Sequence, residues 1–195
     1  MKSCLLCGVG GQGTVLASRI IADAAMKKGL PARTAETIGM AQRGGSVVSH
    51  VRTGEDVASP MIPPGKADVI IGFEPGEAAA NLKYLRRDGI VIVCDKEVKP
   101  ITASLGKSNY SGEECIRYIR ECVKNSYIIN ADEICTACGS QKVLNVALVG
   151  ALAASGAMGL RIEDIKEVLA ERLKPRLVEM NMKALDMGAA VVQEK

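Results

Sequence analysis

The chain has 195 residues, 48% hydrophobic and 24% charged, with a formal net charge of +3. That is enough for one substantial core but short for two, so a single domain over 1–195 is expected. Without a run of basic residues, so small a charge excludes a nucleic-acid reader, and the longest apolar stretch, Val143 to Ala154, is too short and too interrupted by Asn145 to span a membrane.

The chain opens on an apolar run over 2–9, a strand that leads straight into the turn Gly8-Val9-Gly10-Gly11-Gln12-Gly13. No cleavable signal precedes it, and the expectation is a cytoplasmic protein. From Gln12 to Lys28 the apolar positions Val15, Leu16, Ile20, Ile21, Ala24 and Ala25 repeat at helical spacing, and Lys27-Lys28-Gly29 supplies cations and a glycine stop. Pro31 to Thr37 reads as a second strand, which makes a strand–helix–strand crossover. A second glycine-rich turn, Gly39-Met40-Ala41-Gln42-Arg43-Gly44-Gly45-Ser46, precedes a strand over Val47 to Arg52. Three prolines mark 60–65 as a loop. Ala67 to Gly72 is apolar nearly throughout, the pattern of a buried parallel strand. The segment Phe73-Glu74-Pro75-Gly76-Glu77 reads as a turn into a helix over about Ala78 to Leu85, and a strand follows over Ile90 to Cys94. Residues 96–112 are irregular in pattern; Glu113 to Lys124 predicts a surface helix and Tyr127 to Ile129 a strand. The remainder is helical, with Val143 to Ala154 apolar on nearly all sides and therefore central. The expected fold class is α/β: a three-layer, Rossmann-like, mainly parallel sheet with a helical C-terminal part.

Seven cysteines include the pairs Cys4-x-x-Cys7 and Cys135-x-x-Cys138, whose spacing suits zinc or redox chemistry. Strand alternation, however, sends Cys4 and Cys7 to opposite faces. Cys135 and Cys138 fall in a helical segment starting near Ala131, where small apolar residues fill cores. Reduced, unpaired thiols and no metal are the favoured reading.

The two glycine turns carry the functional argument. Glycine loses more backbone entropy than any other residue on folding, so clusters of it mark sharp bends or close approach. Gly8-x-Gly10-x-x-Gly13 between strand and helix has the context of a dinucleotide fingerprint, with free N–H groups for an anion and Glu36 placed to meet ribose hydroxyls. A self-contained nicotinamide- or flavin-binding protein is thus one reading, and a zinc-binding interaction module another. The second turn fits neither: Arg43 offers a planar five-donor fork for phosphate or carboxylate, flanked by Gln42, Gly44, Gly45 and Ser46. His50, the single histidine, shares a strand face with Val48 and Arg52 and reads as structural. Glu74 sits where open α/β sheets bind ligands, as a helix cap, a partner contact or a general base. Asn145 needs a hydrogen bond if buried, either beneath the glycine turns or from its own backbone.

Taken together, Gly8-Val-Gly-Gly-Gln-Gly, then Glu36-Thr-Ile-Gly-Met-Ala-Gln-Arg-Gly-Gly-Ser-Val-Val-Ser-His-Val-Arg52, then Gly72-Phe-Glu-Pro-Gly-Glu77 resemble the gamma subunits of 2-oxoacid:ferredoxin oxidoreductases. The Met-Ala-Gln-Arg-Gly-Gly-Ser run is most similar to the small beta subunit of the indolepyruvate branch. The resemblance spans essentially the whole chain. It implies an anaerobic enzyme that converts an aryl 2-oxoacid and coenzyme A to an aryl-acetyl-CoA, CO2 and reduced ferredoxin. Thiamine diphosphate with Mg2+ and 4Fe–4S clusters supply the redox chemistry in such enzymes. This chain has neither a ferredoxin-type cysteine run nor a Gly-Asp-Gly thiamine motif. The resemblance therefore implies that a larger alpha subunit holds these cofactors, that ferredoxin docks through the complex, and that this chain holds none alone. On this reading Gly8, Gly10, Gly11, Gln12, Gly13, Gln42, Arg43, Gly44, Gly45, Ser46 and Glu74 form a face toward the partner's active site or its CoA. Two departures stand out: cysteines in the first strand, where branched aliphatics are usual, and Tyr110-Ser111 where the family often has Tyr-Pro.

Overall fold

A computed structural model describes residues 1–38, 44–99 and 110–194, the side chain of Ile38 excepted. Six strands form one sheet in the order β2-β3-β1-β4-β5-β6. They are β1 (Lys2–Val9), β2 (Ala32–Ile38), β3 (Ser46–Thr53), β4 (Ala67–Gly72), β5 (Leu85–Cys94) and β6 (Asn125–Ile129). The helices among the described residues are α1 (Thr14–Lys27), α2 (Pro75–Ala80), α3 (Gly112–Cys122), α4 (Ala131–Cys138), α5 (Leu144–Ser155), α6 (Ile162–Arg172) and α7 (Pro175–Gln193).

β1 pairs in parallel with β4, β4 with β5 and β5 with β6, as the apolar runs predict. β3 is antiparallel to both β1 and β2. Five strands therefore share one direction and β3 alone opposes them, wedged inside the crossover that joins β1 to β2. This insertion is the main difference from a Rossmann half, where the first two strands are neighbours.

The sheet separates two apolar cores. Cys4, Leu6, Val51, Val69, Ile71, Ile92 and Ile129 face α1, α4, α5, α6 and α7. Leu5, Cys7, Ile70, Val91 and Val93 face Ala78 of α2, Ile119 of α3 and Ile62 of the preceding loop. The layers are thus helices, sheet, helices. The helical face is the thicker because α5 is buried on every side, and among the described residues no single helix is long and apolar enough to cross a membrane.

Two element boundaries differ from the sequence reading. α2 begins at Pro75 and not near Ala78, because Glu74 is an N-cap accepting from Glu77 N–H and Pro75 occupies the first helical position. It stops at Asn81, whose side chain donates to the Glu77 carbonyl, and a short 3-10 turn over Leu82–Tyr84 follows. β5 begins at Leu85, with exposed Arg86, Arg87 and Asp88 running ahead of its buried part.

Candidate functional site

The strand directions bring both glycine turns to one rim. β1 ends at Val9 and β3 starts at Ser46, and these two residues are paired. One step beyond, Gly10 N–H donates to the Gly45 carbonyl at 2.9 Å. The first turn, Gly8 to Gly13, and the described end of the second, Gly44 to Ser46, therefore form one continuous surface. Gln42 and Arg43 lie outside the described residues.

The glycines of the first turn are needed for different reasons. A Cβ on Gly8 would lie 2.7 Å from Phe73 Cβ and 2.8 Å from Gln12 Oε1, so no side chain fits. Gly11 adopts φ +103° with open space where its side chain would be. Gly13 adopts φ +88°, and a Cβ there would meet Asn145 Nδ2 at 2.8 Å. The positive φ values turn the chain from β1 into α1.

Two polar members of the expected face turn inward. Gln12 Oε1 accepts from Val9 N–H at 2.7 Å and its Nε2 donates to the Phe73 carbonyl at 2.9 Å. The crossovers leave β1 and β4 in opposite directions along the sheet, so the crevice between them is the topological switch point where such sheets bind ligands. Gln12 braces that crevice across its floor. Glu74 is only 3% exposed. Besides capping α2, its carboxylate accepts from Tyr110 OH and from Val98 N–H at 3.4 Å. Tyr110 OH in turn accepts from Gly76 N–H at 3.1 Å. Of the three readings offered for Glu74 the structure shows the helix cap, and the buried carboxylate is satisfied by these hydrogen bonds. Burial, then the bond to Glu74, pushes the Tyr110 phenol far above its usual range. Ser111, which follows this tyrosine, caps α3, its Oγ accepting from Glu114 N–H at 3.3 Å.

Ser46 does stay on the rim, where its Oγ donates to Glu77 Oε2 at 2.6 Å. Burial raises the Glu77 carboxyl above the ordinary range, with Ser46 opposing and the nearby Glu74 adding to the rise. His50 is buried and structural: Nδ1 accepts from Ile62 N–H at 3.2 Å, and the ring meets Tyr84 edge-on at 6.1 Å between centroids. Asn145 meets both of its expectations, lying beneath Gly13 with Oδ1 accepting from Val146 N–H at 2.9 Å.

Two grooves flank the first turn. One, of about 540 Å³, lies toward β3 and is lined by Val15, Leu16, Val47, Arg19 and Arg172. The other, of about 490 Å³, lies toward α5 and includes Gly11, Gly13, Lys96, Gln141, Lys142 and Asn145. Sequence reasoning missed Lys96 and Lys142. The carboxyl-end rule would have found Lys96, which follows β5 by two residues.

These features have known counterparts. The sequence profile of the pyruvate ferredoxin/flavodoxin oxidoreductases matches residues 3–191. The chain belongs to that family. The indolepyruvate oxidoreductase subunit IorB of Archaeoglobus fulgidus is 44% identical over 182 residues, 93% of this chain and 90% of the relative. Among solved structures, the keto/oxoacid ferredoxin oxidoreductase gamma subunit from Geobacter sulfurreducens superposes with TM-score 0.73 at 22% identity, covering 100% of both chains. A 2-oxoglutarate:ferredoxin oxidoreductase from Magnetococcus marinus gives TM-score 0.76 at 20% identity, covering 100% of this chain and 31% of that one. The fold is that of the gamma subunits, and as a family member the chain is an oxidoreductase subunit.

The rival readings fare poorly in this geometry. β3 separates β2 from β1, so exposed Glu36 stands two strands, about 10 Å, from the first turn. It cannot serve as the ribose partner of a dinucleotide at that turn. Cys4 packs into one core and Cys7 into the other, so this pair cannot converge on a metal. Burial holds both thiols far above their ordinary pKa, which disfavours the thiolate a metal requires. Among the described residues no three His, Cys, Asp or Glu side chains converge as a metal site.

Proposed function

We propose that the chain is the small subunit of an enzyme that oxidatively decarboxylates indolepyruvate and related aryl 2-oxoacids with CoA, passing electrons to ferredoxin. Membership of the family over residues 3–191, with 44% identity to an indolepyruvate oxidoreductase subunit, is the observation that carries this reading. On this reading thiamine diphosphate, Mg2+ and the iron–sulfur clusters belong to a larger alpha subunit, the division of labour that the family resemblance implies. The chain's own contribution is positional. A rim of backbone N–H groups and glycines, stiffened by Gln12 and the Gly10–Gly45 bond, closes over the partner's reacting centre. Such a rim excludes water and orients the co-substrate without supplying a reacting group.

Co-expression with the larger subunit tests the reading. Ferredoxin reduction by the purified complex should require indolepyruvate and CoA and be absent with either subunit alone. Arg43→Ala should leave this subunit folded and lower turnover of the complex. Preference for pyruvate would reject the substrate assignment. Wild-type kinetics for the variant would remove Arg43 from the face.

A further inference from the structure

We infer that the amino end of the sheet is a docking surface for an acidic segment of a partner polypeptide. It lies a full length of β1 from the glycine rim, about 23 Å at about 3.3 Å per residue. The inference goes beyond the proposed function and does not depend on it.

Two adjoining hollows mark the surface. One, of about 440 Å³, is lined by Ser3, Arg52, Lys66, Asp68 and Arg86 among others. The other, of about 310 Å³, includes Arg86, Arg87, Leu82, Leu85 and Val123. Arg86 lines both, so they form one band across β3, β1, β4 and β5. Its four cations, Arg52, Lys66, Arg86 and Arg87, stand against one carboxylate, Asp68, an excess of three positive charges. That excess equals the net charge of the whole chain, +3, so the remaining Lys, Arg, Asp and Glu balance. The sequence hid this concentration because the cations come from β3, the loop before β4 and the start of β5.

Little of this charge is compensated within the chain. Asp68 engages one oxygen with Ser3 N–H at 2.7 Å and the other with Arg86 at 2.9 Å. Arg52 meets only neutral groups: Nη1 donates to the Ser59 and Met61 carbonyls at 2.8 and 3.2 Å, Nη2 to Met1 Sδ, and buried Nε has no partner among the described residues. Lys66 and Arg87 are exposed, and neither side chain forms an ion pair with a described residue. Asp88 and Glu121, nearby in sequence, line neither hollow. On the edge of the band Arg33 stands directly opposite Arg52 in the β2–β3 pair, and like charges so placed destabilise strand pairing. Arg33 also donates to a carbonyl, that of Val57, at 2.7 Å. Cations between α1 and α6 are treated differently: Lys27 pairs with Glu167 and Glu171, Lys28 with Asp164 and Arg172 with Asp23. Cations kept together and unpaired, at a cost in self-repulsion, suit a partner that brings the carboxylates. From β3 to β5 is three strand spacings, about 14 Å, which about four residues of extended chain span. An acidic segment of that length can set a carboxylate in each hollow, over Leu82, Leu85 and Val123 of the second.

The test titrates the full chain, labelled with nitrogen-15, with a poly-glutamate peptide at low salt. The backbone amides of Gly65, Lys66, Arg86 and Arg87 should shift together and saturate. Lys66→Gln and Arg87→Gln, at exposed positions where the fold does not depend on the side chain, should each weaken binding about two- to fivefold. Combined, they should weaken it about tenfold. Lys183→Gln, an exposed cation on α7, should leave the affinity unchanged. Absence of saturating shifts at the band, or equal weakening by Lys183→Gln, would overturn the surface. Two further titrants decide the class of partner. An oligothymidylate that binds through the same residues more tightly than poly-glutamate would overturn a polypeptide partner in favour of a nucleic acid. Inorganic phosphate that saturates the same amides with equal affinity would reduce the band to a small-anion site and overturn it as a docking surface.

Discussion

Glycine serves opposite ends in two parts of this molecule. Where α5 crosses α7, Gly150 faces the Leu185 carbonyl and Gly188 the Ala147 carbonyl, and a Cβ on either would fall far inside van der Waals contact of backbone. Both are buried, and the absence of a side chain lets the two helices touch along their main chains. In the turn after β1, Gly11 is exposed with nothing near the position of its missing Cβ. There the residue is demanded by φ +103° alone. The helical part uses glycine to remove space, and the rim uses it to bend a chain that stays open to a visitor. A change to alanine should therefore fail for different reasons in the two places.

The largest expected effect is at the crossing. Gly188→Ala should destabilise the chain by about 3 kcal/mol in urea unfolding, because only movement of a whole helix relieves the clash. A loss below about 1 kcal/mol would show that α7 shifts freely and would break the contrast. Gly11→Ala comes next, at about 1–2 kcal/mol, the strain of a positive φ without a clash. A loss equal to that at Gly188 would mean that the turn is packed and not open. The smallest effect sharpens how the helical part is tied to α1. Burial alone would raise the Asp164 carboxyl, but bonds from Arg161 N–H, the Arg161 guanidinium and Lys28 hold it down, to about 2. A depressed carboxylate stabilises the fold above its ordinary value of 3.8 and loses that contribution as pH falls through about 2. Asp164→Asn should therefore flatten the decline of stability between those pH values, measured by acid titration of the helical circular dichroism. An unchanged acid limb would remove this carboxylate from the account.

Much of the fold was legible because burial leaves a plain mark. β4 is apolar but for Asp68 and lies between two strands with both faces covered; α5 is apolar on nearly all sides and lies at the centre. The direction of β3 was not legible. Val47 to Arg52 alternates in the same way whether its neighbour runs with it or against it. The start of α2 was missed for a different reason, since Pro75 read as a turn residue when it was the first residue of a helix capped by Glu74. At the site, composition foretold that two flexible turns matter. It could not foretell that Gln12 spends both ends of its amide on Val9 and Phe73, because that depends on where the carbonyl after β4 arrives. Lys142 was invisible for the same cause, because no local motif marks it, whereas Lys96 could have been found from its place two residues past the end of β5.

The bond from Gly10 N–H to the Gly45 carbonyl has one further consequence. It joins the entrance of α1 to the connecting end of the β2–β3 hairpin, so a pull on either is felt by the other. A neighbouring polypeptide that grips the hairpin would thereby tilt the mouth of α1. Seating of the subunit and readiness of its rim would then be a single mechanical event.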